Sequence, residues 1–195
     1  MPSDIDPKSG FRLPLLQRED LDEVAKQAYD DASTSGRSVA GLQGPAGIQL
    51  YSPGTIPHLR GLYKYLRFEA GFSARTREIA ILVVAREMDS QFQWGMHEKV
   101  ALNEGVETRV IEVIRHRKST NDLNEIDAVV IELGRQAFGI HKVAPETFAR
   151  AKAQFGANRL VDLVLLMGSA ANTSALLTVF DMQLRPGMEP RLPIP

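Results

Sequence analysis

Apolar residues recur at helical spacing along most of this chain, and they predict a succession of α-helices. Four such positions follow Asp20 at i, i+3, i+4 and i+7: Leu21, Val24, Ala25 and Ala28. This periodicity predicts a helix over about 20–33.

The other predicted helices begin and end at residues with helix-terminal preferences. Pro57 and Pro145 suit a first helical turn, Ser73 and Asn124 suit N-caps, and Gly105 suits a helix end. The predicted helices cover about 57–69, 75–87, 90–104, 106–117, 124–138, 145–154 and 159–184. The apolar run Ile79-Ala80-Ile81-Leu82-Val83-Val84 also permits a strand, but it continues a charged segment without a break, which favours helix.

Three segments lack this periodicity. Residues 1–18 predict an irregular arm over a neighbouring surface, residues 34–56 a loop with turn residues such as Ser35-Gly36, and residues 185–195 a proline-rich extended tail. We therefore predict one all-α domain, in which 73–118 form the core. An N-terminal part (20–70) and a C-terminal helical part (120–184) flank this core.

Composition narrows the classes of function. The chain has 195 residues and a formal net charge of −1, which argues against a nucleic-acid-binding surface. The N-terminus lacks the features of a signal peptide, and no apolar run was seen to approach a membrane span, so we expect a cytoplasmic protein with no membrane partner. The absence of cysteine excludes disulfides and thiol nucleophiles. No pair of histidines or carboxylates shows metal-ligand spacing, so the sequence predicts no metal.

One set of polar residues shares a helix face within the predicted core. On the helix that begins near Ser90, the side chains of Ser90, Gln93, Trp94 and His97 are in a row. Glu78 lies on the preceding helix, and a short connection at Glu87-Met88-Asp89 lets it approach His97. This arrangement makes these residues candidates for one functional site.

Structural interpretations of the same residues remain open. Ser90 and Gln93 also fit a capping box, Trp94 also fits a core aromatic, and Glu78 with His97 also fits a buried pair that joins two helices. Two further residues are candidates for substrate binding. Arg77 suits either a substrate carboxylate or a surface salt bridge, and Asn172 suits either a ligand or a tie between helices.

The spacing of these residues resembles a family signature. Eleven residues separate Glu78 from Ser90, two separate Ser90 from Gln93, and three separate Gln93 from His97. This resembles the Glu-x11-Cys-x2-Cys-x3-His signature of the alkylhydroperoxidase D and carboxymuconolactone decarboxylase superfamily, with Ser90 and Gln93 at the cysteine positions. The resemblance covers about 73–118. It implies an all-α fold and a homo-oligomer (a dimer, trimer or hexamer) with sites near subunit contacts.

The resemblance also implies a reaction. The cysteine-free decarboxylases remove CO2 from an unsaturated lactone without a cofactor, and a thiol peroxidase cycle cannot run without a thiolate. On this model, His97 is the acid and Glu78 fixes its tautomer, while Ser90, Gln93 or Trp94 donates hydrogen bonds to the developing oxyanion. Our first hypothesis is thus a cofactor-independent lyase, or a lactone hydrolase or isomerase, acting on a small unsaturated lactone or carboxylic acid. The alternative is a non-catalytic oligomeric ligand-binding protein.

Overall fold

The computed structural model describes residues 2–34 and 39–193, and these residues form helices and turns with no β-strand. The α-helices are α1 (Glu23–Ser33), α2 (Pro45–Gln49), α3 (Ile56–Lys64), α4 (Ala74–Glu87), α5 (Gln91–Asn103), α6 (Thr108–Arg115), α7 (Glu125–Gly134) and α8 (Pro145–Val179). Two π turns, Tyr65–Glu69 and Arg135–Ile140, extend α3 and α7. The all-α prediction is confirmed, and the strand interpretation of the apolar run is wrong. The turn predicted at Ser35-Gly36 lies outside the described residues.

Local capping explains where several helices begin and end. The Ser73 hydroxyl accepts a hydrogen bond from the Thr76 backbone N–H at 3.0 Å, and Asn124 Oδ1 accepts one from the Asp127 N–H at 3.0 Å. Gly105, with φ of 81°, follows Glu104, the C-cap residue of α5, in the left-handed conformation that glycine tolerates. These helix ends agree with the sequence-based predictions.

Helix α8 combines the two helices predicted for the C-terminal part. It begins at Pro145, and its backbone leaves helical geometry at Gly156 (φ 73°, ψ 166°). It ends at Val179 instead of near 184, because Asp181 adopts a left-handed conformation and the Phe180 carbonyl accepts a hydrogen bond from the Arg12 backbone N–H at 2.9 Å. The predicted break is therefore confirmed, and the predicted end is five residues too late.

Helix α8 is more apolar than we expected from the sequence. It holds an 18-residue window of mean hydropathy 1.6, so its length and composition suffice to cross a membrane. The expectation that no apolar run approaches a membrane span is therefore wrong for this helix. A core helix of a soluble protein has the same properties, and 39% of this window is buried.

The chain divides into two compact units. The first comprises Met1–Leu62 and Ala175–Glu189, and its small core contains Leu21, Ala25, Leu50 and Ile56. Within this unit the N-terminal arm pairs with the segment after α8, since the Gln183 N–H donates to the Gly10 carbonyl at 2.9 Å. The prediction of one domain stays a prediction.

The second unit comprises Tyr63–Ser174 and Pro190–Pro195, and α4 lies at its centre. Helix α4 contacts α5, α6, α7 and the π turn that follows α7. Every residue from Glu78 to Arg86 is buried, which explains why the helix is apolar on all sides. A charged residue at Glu78 thus begins this buried stretch and requires a partner.

Candidate active site

His97 and Glu78 form the centre of the candidate site. The chain reverses direction at Met88 and Asp89, where Asp89 has a positive φ of 50°, and α5 then packs beside α4. His97 Nδ1 lies 2.7 Å from Glu78 Oε2, with side-chain exposures of 15% and 2%. The approach of these two residues, predicted from their spacing, is observed.

The hydrogen bond between them assigns the histidine tautomer. An ionised carboxylate only accepts hydrogen bonds, so the proton of the neutral ring lies on Nδ1. No described residue forms a hydrogen bond with His97 Nε2. This nitrogen is therefore the one available to exchange a proton with a bound molecule.

Gln93 lies one turn before His97 on the same face of α5. Its Oε1 accepts a hydrogen bond of 2.6 Å from the hydroxyl of Ser174, which is fully buried on α8. With the carbonyl oxygen engaged, the amide N–H groups of Gln93 have no acceptor among the described residues. Gln93, itself 3% exposed, is therefore held as a donor.

Ser90 is the N-cap residue of α5, but its side chain makes no capping hydrogen bond. The capping-box interpretation is therefore wrong for the Ser90 hydroxyl, which accepts no hydrogen bond from a backbone N–H of α5. The Gln93 carbonyl bonds to Ser174 instead of closing a box. Ser90 is 6% exposed and lies one turn before Gln93.

Trp94 requires a correction as a substrate-binding residue. Its side chain is fully buried, and its Nε1–H donates to Glu98 Oε2 at 3.1 Å. The Arg115 guanidinium lies 5.6 Å from the ring centroid and also binds Glu98. With its N–H and its ring face engaged inside the fold, Trp94 is a core aromatic and not an oxyanion donor.

Asn172 is exposed on α8, and no described residue forms a hydrogen bond with its side chain, so the tie between helices is not observed and the ligand role stays a prediction. Two residues further along the helix, Ser174 faces Gln93. Ser174 was not predicted from the sequence. Apolar residues lie all around α8, so the sequence pattern does not fix the rotation of this helix about its axis.

Arginines lie on the Glu78 side of the pair. Arg77 Nη1 donates to the Phe72 carbonyl at 2.9 Å, and the surface salt bridge considered for Arg77 is absent from the described residues. Burial lowers the pKa of the Arg77 guanidinium, and the nearby charge of Arg67 lowers it further. Arg67 Nη2 lies 3.8 Å from Glu78 Oε1. Arg67 was not predicted from the sequence. It lies in the π turn Tyr65–Glu69, which places it near Glu78.

The remaining histidines lie elsewhere. His58 and His141 are exposed, and His116 Nε2 lies 3.1 Å from Glu112 Oε2 at the end of α6. In the part of the chain that the structure describes, no three histidine, aspartate or glutamate side chains form a group that could hold a metal ion.

The fold and this geometry define an all-α protein with a buried carboxylate–histidine pair between adjacent helices. Residues 56–132 match the model of the carboxymuconolactone decarboxylase family. The match confirms the resemblance stated from the sequence, in a variant without cysteine. No curated protein matches the chain.

Proposed function

We propose that the protein is a cofactor-independent acid–base enzyme, a lyase or a related hydrolase or isomerase, that acts on a small unsaturated lactone or carboxylic acid. The observation that carries this proposal is the 2.7 Å contact between His97 Nδ1 and Glu78 Oε2 in the part of the chain that matches this family. A carboxylate that fixes the tautomer and stabilises the imidazolium is how a histidine is prepared to donate a proton.

The proposed step in the lyase case moves one electron pair and one proton. Cleavage of the bond to a substrate carboxylate releases CO2, and the electron pair of that bond enters the conjugated alkene to give a dienolate. His97, as the imidazolium, then delivers the Nε2 proton to carbon, and solvent reprotonates the ring. Gln93 donates an amide N–H to the developing oxyanion, with the Ser90 hydroxyl as a second donor.

The same pair also fits the rival function of a non-catalytic ligand-binding protein. Glu78 is 2% exposed, and a buried carboxylate that meets a histidine on the next helix stabilises the contact between α4 and α5 whether or not a reaction occurs. The two functions differ in what the loss of His97 does first: activity in an enzyme, or stability in a structural pair.

The test is turnover of a panel of unsaturated lactones and carboxylic acids, measured by CO2 release and by loss of the absorbance of the conjugated alkene. Wild type is compared with His97→Gln and with a matched control, His58→Gln, at an exposed histidine. We expect His97→Gln to stay folded and to lose about 10²–10⁴-fold in rate, and the control to match wild type.

Two outcomes count against the enzyme. Full turnover by folded His97→Gln would remove the acid role. Binding of panel members without turnover in wild type, with His97→Gln melting lower, would favour the ligand-binding protein.

We also propose that the protein is a cytoplasmic homo-oligomer that binds neither nucleic acid nor membrane. Helix α8 supports an oligomer, because Val161, Val164 and Leu165 are 58%, 42% and 45% exposed on one face. An apolar face of this kind commonly packs against another subunit. Sedimentation at several protein concentrations tests the assembly, and a stable monomer would contradict it.

A further inference from the structure

The π turn Tyr65–Glu69 carries Arg67 to the candidate active site. A π turn adds a residue to the helical repeat, and such turns are frequent at functional sites. Here Leu66 is fully buried, while Arg67 points along the surface of α4 towards Glu78. The two oxygens of the Glu78 carboxylate thus have different partners. Oε2 lies 2.7 Å from His97 Nδ1, and Oε1 lies 3.8 Å from Arg67 Nη2.

A second guanidinium lies next to Arg67. Arg77 precedes Glu78 on α4, and its group lies 6.0 Å from the ring of Phe68, which is itself in the π turn and 74% exposed. Both arginines adjoin Glu78, because Arg67 Nη2 lies 3.8 Å from its Oε1 and Arg77 is its neighbour in the chain. Burial lowers the pKa of the Arg77 guanidinium, and the charge of Arg67 lowers it further.

Both guanidinium groups retain unused donors. The Nε–H of Arg67 and the Nε–H of Arg77 are buried and have no hydrogen-bond partner among the described residues. The 3.8 Å contact of Arg67 with Glu78 exceeds a hydrogen-bond length, and Arg77 donates to a single carbonyl. Each buried donor without an acceptor costs free energy, and a shift of either side chain towards a bound anion would recover part of that cost.

We propose that Arg67 and Arg77 form a carboxylate-binding subsite beside the His97–Glu78 pair. This inference rests on the proposed function in one respect: the bound molecule is the one on which His97 acts. The fork of donors on a guanidinium matches the two oxygens of a carboxylate, and two neighbouring forks fit one planar anion. The exposed ring of Phe68 provides an apolar wall for the unsaturated part of the ligand. A neutral lactone without a carboxylate is then a poor ligand.

The test is isothermal titration of the full chain with maleate, a small unsaturated dicarboxylate, with dimethyl maleate as its uncharged counterpart. The variants are Arg67→Gln and Arg77→Gln. Arg109→Gln is the matched control, since Arg109 is an exposed arginine on α6. We expect wild type to bind maleate and not the diester, with binding about tenfold weaker or more in each of the first two variants. Arg109→Gln should bind maleate as wild type does.

The outcomes separate this inference from the proposed function. No maleate binding by wild type, or equal binding by folded Arg67→Gln and Arg77→Gln, overturns the subsite. Equal binding of inorganic phosphate overturns the assignment to carboxylates. Loss of turnover in His97→Gln is measured independently, so the subsite can stand while the enzyme fails, or the reverse. If a glutamine variant does not fold, Arg67→Lys or Arg77→Lys keeps the charge and should weaken binding because the fork is lost.

Discussion

Gly134 offers a sharp test of how tightly the helices around α4 are packed. A β-carbon added at Gly134, the last residue of α7, would lie 1.9 Å from Val83 Cγ1 and 3.3 Å from Val83 Cβ. Val83 is fully buried on α4, so its side chain has little room to move away. The close approach of α7 to α4 therefore depends on glycine at this position.

The expected change in stability is the difference between two effects. Alanine is favoured over glycine inside a helix by about 1 kcal/mol, and overpacking a core costs typically about 1–3 kcal/mol. A contact of 1.9 Å lies far inside van der Waals distance, so the upper part of that range applies. We expect Gly134→Ala to lose about 2 kcal/mol net.

Gly168 provides the matched control. It lies within α8, and a β-carbon there meets no atom within 4 Å. The helix preference then acts alone, so Gly168→Ala should gain about 1 kcal/mol. The free energy of unfolding is measured by urea denaturation followed by circular dichroism, at one fixed protein concentration so that any assembly affects all variants alike.

A compensating change makes the reasoning refutable. Val83→Ala destabilises by itself, but it also removes the clashing methyl group, so Val83→Ala with Gly134→Ala should cost less than the sum of the single changes. If Gly134→Ala is as stable as Gly168→Ala, the helices separate without cost and the packing argument fails.

Three further predictions concern hydrogen bonds and ion pairs. Ser174→Ala leaves the buried Gln93 carbonyl without a donor and should cost about 1–3 kcal/mol of unfolding free energy, while turnover falls because the Gln93 amide is no longer oriented. Arg75 lowers the pKa of the Glu107 carboxyl through a hydrogen bond. This pair therefore stabilises the fold above the pKa that Glu107 has in the unfolded chain. The stabilisation is lost as the pH falls through the lower pKa that Glu107 has in the folded chain. The free energy of unfolding of wild type and Glu107→Gln is compared at several pH values. The difference should be within about 1 kcal/mol at neutral pH because the pair is exposed, and it should vanish in acid. Trp94→Phe removes the indole donor and should lower the melting temperature without changing maleate binding.

For each of these predictions, one result would contradict it. Unchanged turnover in Ser174→Ala would show that the orientation of Gln93 does not matter. A stability difference for Glu107→Gln that grows towards acid pH would reverse the assigned direction of the shift. Weaker maleate binding by Trp94→Phe at unchanged stability would return Trp94 to the ligand site.

The sequence by itself determined the helical fold and the approach of Glu78 to His97. Helix ends at Ser73, Asn124 and Gly105 depend on side chains and backbone preferences within a few residues, so local pattern was sufficient. The pair followed from periodicity and a short connection, which together leave little freedom.

Only the tertiary structure decided which other side chains face the pair. The rotation of α8 depends on its packing and on the break at Gly156, and it turns Ser174 inward and Asn172 outward. The π turn shifts the helical phase, so Arg67 approaches Glu78 although no periodic pattern indicates it. Helix α6 brings Arg115 to the Glu98 carboxylate and to the face of the Trp94 ring, which buries Trp94 inside the fold. These are contacts between distant segments, and they are set by packing free energy summed over the whole core, which a local pattern does not contain.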